Sequence, residues 1–210
     1  MENRIIQYIT RYIDLTPEET AIINAQNQIK TFTKDTILLR EGAFAKECYF
    51  ILKGCIRSFY LVDGEERTTA LYTENQGVHP VSYLTNEASA YYLSCLEDCI
   101  VAISTAEMGK KLLEAVPKLQ QVLLQMSSEL LIQNRTDLDH FKNLSPEERY
   151  LHLLETRPDL FKRVALQHIA TYLGITPVSL SRMRKRITGG YKANSGYLLT
   201  KDNFLEKLYQ

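Results

Sequence analysis

Four cationic side chains stand within five positions of one another: Arg182, Arg184, Lys185 and Arg186. The chemistry open to them is anion and base-edge recognition. A guanidinium offers two parallel N–H donors to guanine O6 and N7, and an ammonium meets a phosphate as a point charge. They lie in residues 164–187, VALQHIATYLGITPVSLSRMRKRI. Ala165, Ile169, Leu173, Ile175, Leu180 and Ile187 supply apolar contacts at helical spacing, and Gly174 falls where the chain must reverse. Thr176 offers a hydroxyl cap, and Pro177 sits at the first helical position, where its missing N–H costs nothing. The segment reads as two short helices around a tight turn. This is the pattern of a helix-turn-helix whose second helix, about 176–187, enters the major groove of DNA.

Charge distribution agrees with that reading. The chain of 210 residues carries 25 basic and 25 acidic side chains. Residues 160–201 contain no Asp or Glu, while Lys162, Arg163, Arg182, Arg184, Lys185, Arg186, Lys192 and Lys201 lie there. Segregation of this kind is expected where one end of a protein binds a polyanion and the remainder must not.

Other chemistries find little support. Cys48, Cys55, Cys95 and Cys99 form no C-x-x-C pair and have no histidine at zinc-site spacing. They read as reduced core residues, so neither a metal nor another cofactor is expected. His79 stands apart from His140, His152 and His168, too isolated to build a metal site. No phosphate-binding glycine loop, nucleophile elbow or triad is recognisable, which argues against an enzyme. No apolar run approaches the ~20 residues of a membrane span. The first residues lack a signal-peptide layout, so a cytoplasmic protein is expected.

Elements that would position the cationic helix can be read from periodicity. Ile5, Ile6, Ile9 and Ile13 recur at helical spacing, and Thr16-Pro17-Glu18-Glu19 is a capping box opening a second helix. Over residues 29–103 the pattern turns to short Tyr-, Phe-, Ile- and Val-rich runs. The runs 36–39, 48–52, 55–61, 68–72, 91–93 and 100–103 are separated by turn signals, and Asp63-Gly64 is the signature of a hairpin. Strands of this length and spacing predict a sandwich or barrel. Pro117 opens a long helix to about residue 141. Leu119, Leu123, Met126 and Leu130 follow heptad steps suited to a dimer seam, and Gln133, Asp137 and His140 continue it with polar residues. Ser145, Pro146 and Glu148 then cap a further helix. Thr188-Gly189-Gly190-Tyr191 and Ser195-Gly196-Tyr197 predict a hairpin, with a final short helix over 202–208.

The order of these elements resembles the Crp/Fnr family of bacterial transcription regulators over nearly the full length. The motifs that carry the resemblance are Ile169-Ala170-x-Tyr172-Leu173-Gly174-Ile175-Thr176-Pro177-x-Ser179-Leu180-Ser181-Arg182 and Glu41-Gly42…Tyr49-Phe50-Ile51-Leu52-x-Gly54-x-Ile56-Arg57. Ser145-x-Glu147-Glu148-Arg149-Tyr150 resembles a branch common in Bacteroidetes. The resemblance implies an α+β protein: a cyclic-nucleotide-binding-like β-barrel (a double-stranded β-helix) with N-terminal helices over 1–116, a dimerisation helix and hinge over 117–143, and a winged helix-turn-helix over 144–210. It further implies a homodimer on pseudo-palindromic double-stranded DNA, with RNA polymerase as another partner.

The family's base-reading positions align with Pro177, Val178 and Arg182. Gln167, Thr176, Ser181 and Lys185 suit the phosphate backbone, and Ser179 suits a base or a phosphate. Pro177 and Val178 replace the arginine and glutamate of the best-known members, which implies a different operator. The family's nucleotide pocket uses a glutamate for the ribose and an arginine for the phosphate. Here Gly77 is followed by Val78-His79-Pro80-Val81-Ser82-Tyr83-Leu84, and no arginine occurs between Arg67 and Arg135. A buried phosphate without a cationic partner is costly, so the barrel is expected to sense something else. Tyr83, Tyr91 and Tyr92 are the candidate lining of a pocket for an unknown small-molecule effector. The alternative reading is a barrel enzyme or metal-binding protein with an accessory helical domain.

Overall fold

The structure, a computed structural model, describes residues 4–26 and 28–190, with side chains through Ile187. Two helices open it, α1 (Arg4–Ile9) and α2 (Pro17–Gln26). The Thr16 box closes α2 as its sequence requires: Thr16 N–H donates to Glu19 Oε2 at 2.7 Å, and Glu19 N–H donates to Thr16 Oγ1 at 3.2 Å.

Eight strands follow: β1 (Gln28–Phe32), β2 (Ile37–Leu39), β3 (Cys48–Lys53), β4 (Ile56–Val62), β5 (Glu65–Tyr72), β6 (Gly77–Val78), β7 (Tyr92–Cys95) and β8 (Cys99–Ser104). They pair antiparallel in two sheets, ordered β1-β8-β3-β6 and β2-β7-β4-β5. That order is the jelly roll, or double-stranded β-helix. The expected barrel is therefore corrected to a two-sheet sandwich: among the described residues each sheet ends on an unpaired edge, and no ladder links one sheet to the other. Alternation aims Tyr49, Ile51, Val101 and Ile103 of one sheet and Leu39, Ile56, Leu93 and Cys95 of the other into a shared core. Ile51, Ile56 and Val101 are wholly buried, each stabilising the fold by about 1.5–3 kcal/mol. Asp63 and Gly64, both at positive φ, turn β4 into β5, the geometry their sequence favours.

Short helix α3 (Val81–Thr85) interrupts the strands between β6 and β7, and α4 (Ala106–Ala115) leaves β8 behind a Thr105 cap. Helix α5 (Leu119–Asn143) is the long one, 25 residues. It begins two residues later than Pro117 suggests. Ile9, Ile23, Val116, Leu119 and Val122 form a second core that binds α5 to the N-terminal helices. The helices that follow are α6 (Pro146–Thr156), α7 (Leu160–Arg163), α8 (Leu166–Tyr172) and α9 (Pro177–Gly190). Ser145 and Glu148 form the complete capping box at α6. A third core gathers Tyr150, Leu154, Leu160, Ile169, Leu180, Met183 and Ile187 and reaches Cys55 and Leu71 of the sandwich. Among the described residues no helix is long and apolar enough to cross a membrane. The expected hairpin after Tyr191 and the helix over 202–208 lie outside the described residues. Thr188, Gly189 and Gly190, assigned to that hairpin from sequence, end α9 instead.

Candidate nucleic-acid interface

Helix α9 starts where its sequence says it should. Gly174 adopts φ +72°, and a Cβ there would meet the Phe141 ring at 3.0 Å. The Thr176 hydroxyl accepts a hydrogen bond from Ser179 N–H at 3.1 Å and lies 2.9 Å from Ser179 Oγ. Leu180, Met183 and Ile187 form the buried stripe. On the opposite arc, Pro177, Val178, Ser181, Arg182 and Lys185 are exposed, flanked by exposed Thr176 and Ser179. Gln167, near the start of α8, is exposed as well. One helix thus presents apolar, hydroxyl and cationic groups together on a solvent face, the set needed to meet base edges and phosphates.

The neighbouring cations divide by partner. Arg186 pairs with Glu147 of α6, and Arg184 is half-buried beside Tyr150. Arg163, counted from sequence within the basic end, is committed elsewhere. It bonds Glu97 (2.9 and 2.5 Å), Glu74 (2.9 and 2.8 Å) and Asp159 (3.2 Å). The paired carboxylates hold its guanidinium charge more firmly against the desolvation that opposes it. The cationic face is accordingly narrower than charge counting suggests, because a guanidinium follows the nearest desolvated carboxylate.

Three further arginines hold the helical unit in place, and sequence reasoning missed all three. Arg149 donates to Leu173 O (3.1 and 2.9 Å), Leu144 O (2.7 Å) and Phe141 O (3.2 Å), and stacks over the Phe141 ring. It satisfies carbonyls at the ends of both α5 and α8 that helix geometry leaves without partners. Arg157 donates to Leu71 O at 2.9 Å and Thr73 Oγ1 at 3.2 Å on the end of β5. Arg57, buried on β4, donates to Glu66 Oε2 at 2.6 Å and to His168 Nδ1 of α8 at 2.5 Å, with its guanidinium over Phe59. Thr68 N–H donates to Thr171 Oγ1 at 3.2 Å, completing the seam between β5 and α8.

The long helix carries two faces. Leu119 is a core residue at 5% exposure, and Met126 is half-buried in the same cluster. These two members of the expected dimer seam pack toward their own N-terminal helices. Leu123 and Leu130 are nearly half exposed, and the outward stripe continues through Leu124 (71% exposed), Leu131 (71%) and Leu138 (45%). Gln133 bonds Asp137 on the surface at 2.8 Å.

The tyrosines meant to line one pocket are distributed over several contacts. Tyr91 lies against Tyr60, and its hydroxyl accepts from Val81 N–H at 2.9 Å. Tyr92 stacks on Phe59 at 5.0 Å. Tyr83 lines a surface cleft with Ala106 and Leu113, and its hydroxyl lies near the Cys48 thiol. Residues 77–92 hold no lysine or arginine. Their buried hydroxyls are already used: Ser82 Oγ accepts from Ala45 N–H at 3.1 Å, and Ser89 Oγ donates to Tyr91 O at 2.8 Å. Among the described residues the one buried arginine is Arg57, whose two terminal nitrogens are taken by His168 and Glu66 while its Nε stays without a partner. These residues do not fit a cyclic nucleotide, whose phosphate needs a cation.

His79 is exposed, with its ring beside Gly77, and among the described residues no group of three His, Cys, Asp or Glu side chains could hold a metal. All four cysteines are buried. Burial pushes the Cys48 thiol up to about 11 and the Cys55 thiol up to about 12, so both stay protonated.

Comparison with known proteins adds the following. Residues 29–115 match the family model of the cyclic nucleotide-binding domain. No curated protein matches the chain in sequence. Among solved structures, the chain is similar to CLP of Xanthomonas campestris, a c-di-GMP responsive global regulator. The TM-score is 0.67 at 16% identity, over 87% of this chain and 96% of that one. FixK2 of Bradyrhizobium japonicum gives 0.63 at 18% identity, over 86% and 95%. The catabolite activator protein of Thermus thermophilus gives 0.51 at 18%, over 94% and 97%. Residues 29–115 are thus similar to the cyclic nucleotide-binding domain, and the chain shares the fold of these solved structures over 86–94% of its length.

Proposed function

We propose that this protein is a homodimeric, sequence-specific DNA-binding transcription regulator of the Crp/Fnr type and not an enzyme. The observation that carries the reading is the solvent face of α9, where Pro177, Val178, Ser181, Arg182 and Lys185 lie opposite the Leu180-Met183-Ile187 stripe. Arg182 reads guanine, Val178 meets a thymine methyl, and Ser179 bonds a base or phosphate. Lys185, Ser181, Thr176 and Gln167 fix the register on phosphates. Pro177 presents only apolar surface to the groove, so the operator departs from that of members with arginine there.

Dimerisation runs along α5 through Leu123, Leu124, Leu130, Leu131 and Leu138, placing two copies of α9 about one DNA turn apart. Residues 29–115 serve as the sensor, with a signal other than cyclic nucleotide. RNA polymerase is the further partner. The likeness to solved regulators over 86–94% of the chain supports this reading, as does the shortage of acidic residues around α9.

Selection from a random double-stranded library, followed by gel shift and footprinting, tests it. A pseudo-palindromic site protected by a dimer is the expected result. A monomer with no preference for any duplex over competitor would overturn the proposal.

A further inference from the structure

We propose that the protein binds a neutral, largely apolar small molecule in a cavity outside the jelly-roll core, between α1, α4, α5 and the outer face of the β1-β8-β3-β6 sheet. The cavity measures about 240 Å³. Phe50 and Ala102 form its floor, Met108 and Leu112 one wall, and Val122 and Met126 the other. Alternation along β3 and β8 aims Phe50 and Ala102 away from the core residues Tyr49, Ile51, Val101 and Ile103. Cys48, Tyr49 and Ile103 also border the cavity, so it opens on the helix side of that sheet while abutting the edge of the sandwich core.

Three observations specify its ligand. First, no Asp, Glu, Lys or Arg is among the described residues of the lining. An ionised ligand would be stripped of water with nothing to compensate it. Second, an apolar cavity of ~150 Å³ takes one benzene ring, so this one suits a two-ring molecule of about ten non-hydrogen atoms. Two methionines on facing walls can adapt to its outline. Third, the polar groups of the lining are hydroxyls, a thiol, an amide and an imidazole, from Tyr8, Tyr49, Ser104, Cys48, Gln26 and His79. Ser104 donates its hydroxyl to Thr105 O at 3.4 Å, leaving its oxygen able to accept, and Gln26 adds an amide. A bicyclic aromatic with a single N–H or O–H donor, of the indole or naphthol class, meets all three conditions.

The placement gives such a ligand leverage. It would touch α5 at Val122, Leu123 and Met126, one turn from Leu130 on the outward face. Occupancy would bias the setting of the helix through which copies pair. That consequence rests on the regulator reading, whereas binding itself does not.

Indole is the probe, measured with the full chain by calorimetry and by thermal melting without DNA. The expected result is saturable binding of indole and of neutral 2-naphthol with a concentration-dependent rise in melting temperature, while 2-naphthoate, a charged bicyclic, gives neither. Gly109→Leu fills the cavity from α4. A Cβ at Gly109 meets only Ser104 Oγ, at 3.8 Å, and leucine favours the helix, so the variant should fold. It should weaken indole by at least about tenfold, and Ala102→Leu, filling from the sheet, should do the same. Absence of saturable indole binding, binding unchanged in both fillers, or equal binding of 2-naphthoate would overturn the proposal. Because the assay contains no DNA, its failure leaves the regulator reading standing, and failed DNA selection leaves this site standing.

Discussion

Arg57 of β4 and His168 of α8 meet at 2.5 Å across the seam between the sandwich and the helical unit. A guanidinium can only donate, so His168 Nδ1 must accept, and the imidazole is neutral in this arrangement. Burial, followed by the Arg57 charge, holds His168 below its ordinary value of 6.5, with Glu66 and Asp35 opposing weakly. A histidine depressed in the docked state favours that state fully above about pH 6.5 and gives up the contribution as pH falls below it.

Melting temperature should therefore drop between about pH 7.5 and about pH 5.5 more steeply in the natural protein than in His168→Asn. The asparagine oxygen can accept from Arg57 without titrating. Identical pH profiles would show that this contact does not couple to protonation.

Arg163→Gln removes a guanidinium shared by Glu74 and Glu97, both mostly shielded from solvent. The two carboxylates then face each other without a cation. A loss of about 1–3 kcal/mol in denaturant-measured stability is expected. DNA affinity of the folded fraction should change little, because Arg163 is committed to Glu74 and Glu97. A large loss of affinity with unchanged stability would instead place Arg163 on DNA.

Gly54 lies at φ +110°, and a Cβ there would fall 2.5 Å from Cys99 Sγ and 2.8 Å from Cys99 Cα. Gly54→Ala combines backbone strain with a clash against the chain itself. It should cost at least about 2 kcal/mol, seen as a lowered melting temperature or loss of soluble protein. Gly64→Ala provides the comparison: strained at φ +80° but with nothing within 4 Å, it should cost less.

Leu131→Asp places a charge in the middle of the outward stripe of α5. Sedimentation should show a shift from dimer to monomer, with melting of the monomeric chain little changed, since Leu131 touches none of the three cores. A dimer of unchanged affinity would place the interface elsewhere.

Arg182→Ala alters an exposed residue and should leave stability intact. Affinity for the selected operator should fall by about 1–3 kcal/mol, with relaxed preference at one base pair, whereas Lys185→Ala should weaken all sequences alike and lower the salt dependence. Equal effects of Arg182→Ala on every sequence would reduce that arginine to a phosphate contact.

By itself the sequence determined the features that depend on neighbours three or four positions away. These are the boxes at Thr16 and Ser145, the Asp63-Gly64 turn, the reversal at Gly174, the Thr176 cap and the buried stripe of α9. Each follows from local backbone geometry, which residue type and spacing specify directly. Tertiary structure decided what depends on residues far apart in the chain. Arg163 is claimed by carboxylates 66 and 89 positions away, and Arg57 finds His168 at a separation of 111. Leu119 and Met126 turn inward because the N-terminal helices reach them, leaving Leu124 and Leu131 outside. Whether eight strands close on themselves or end on free edges, and where a neutral cavity opens beside α5, likewise depends on how packed faces meet. Periodicity along the chain carries no record of those meetings.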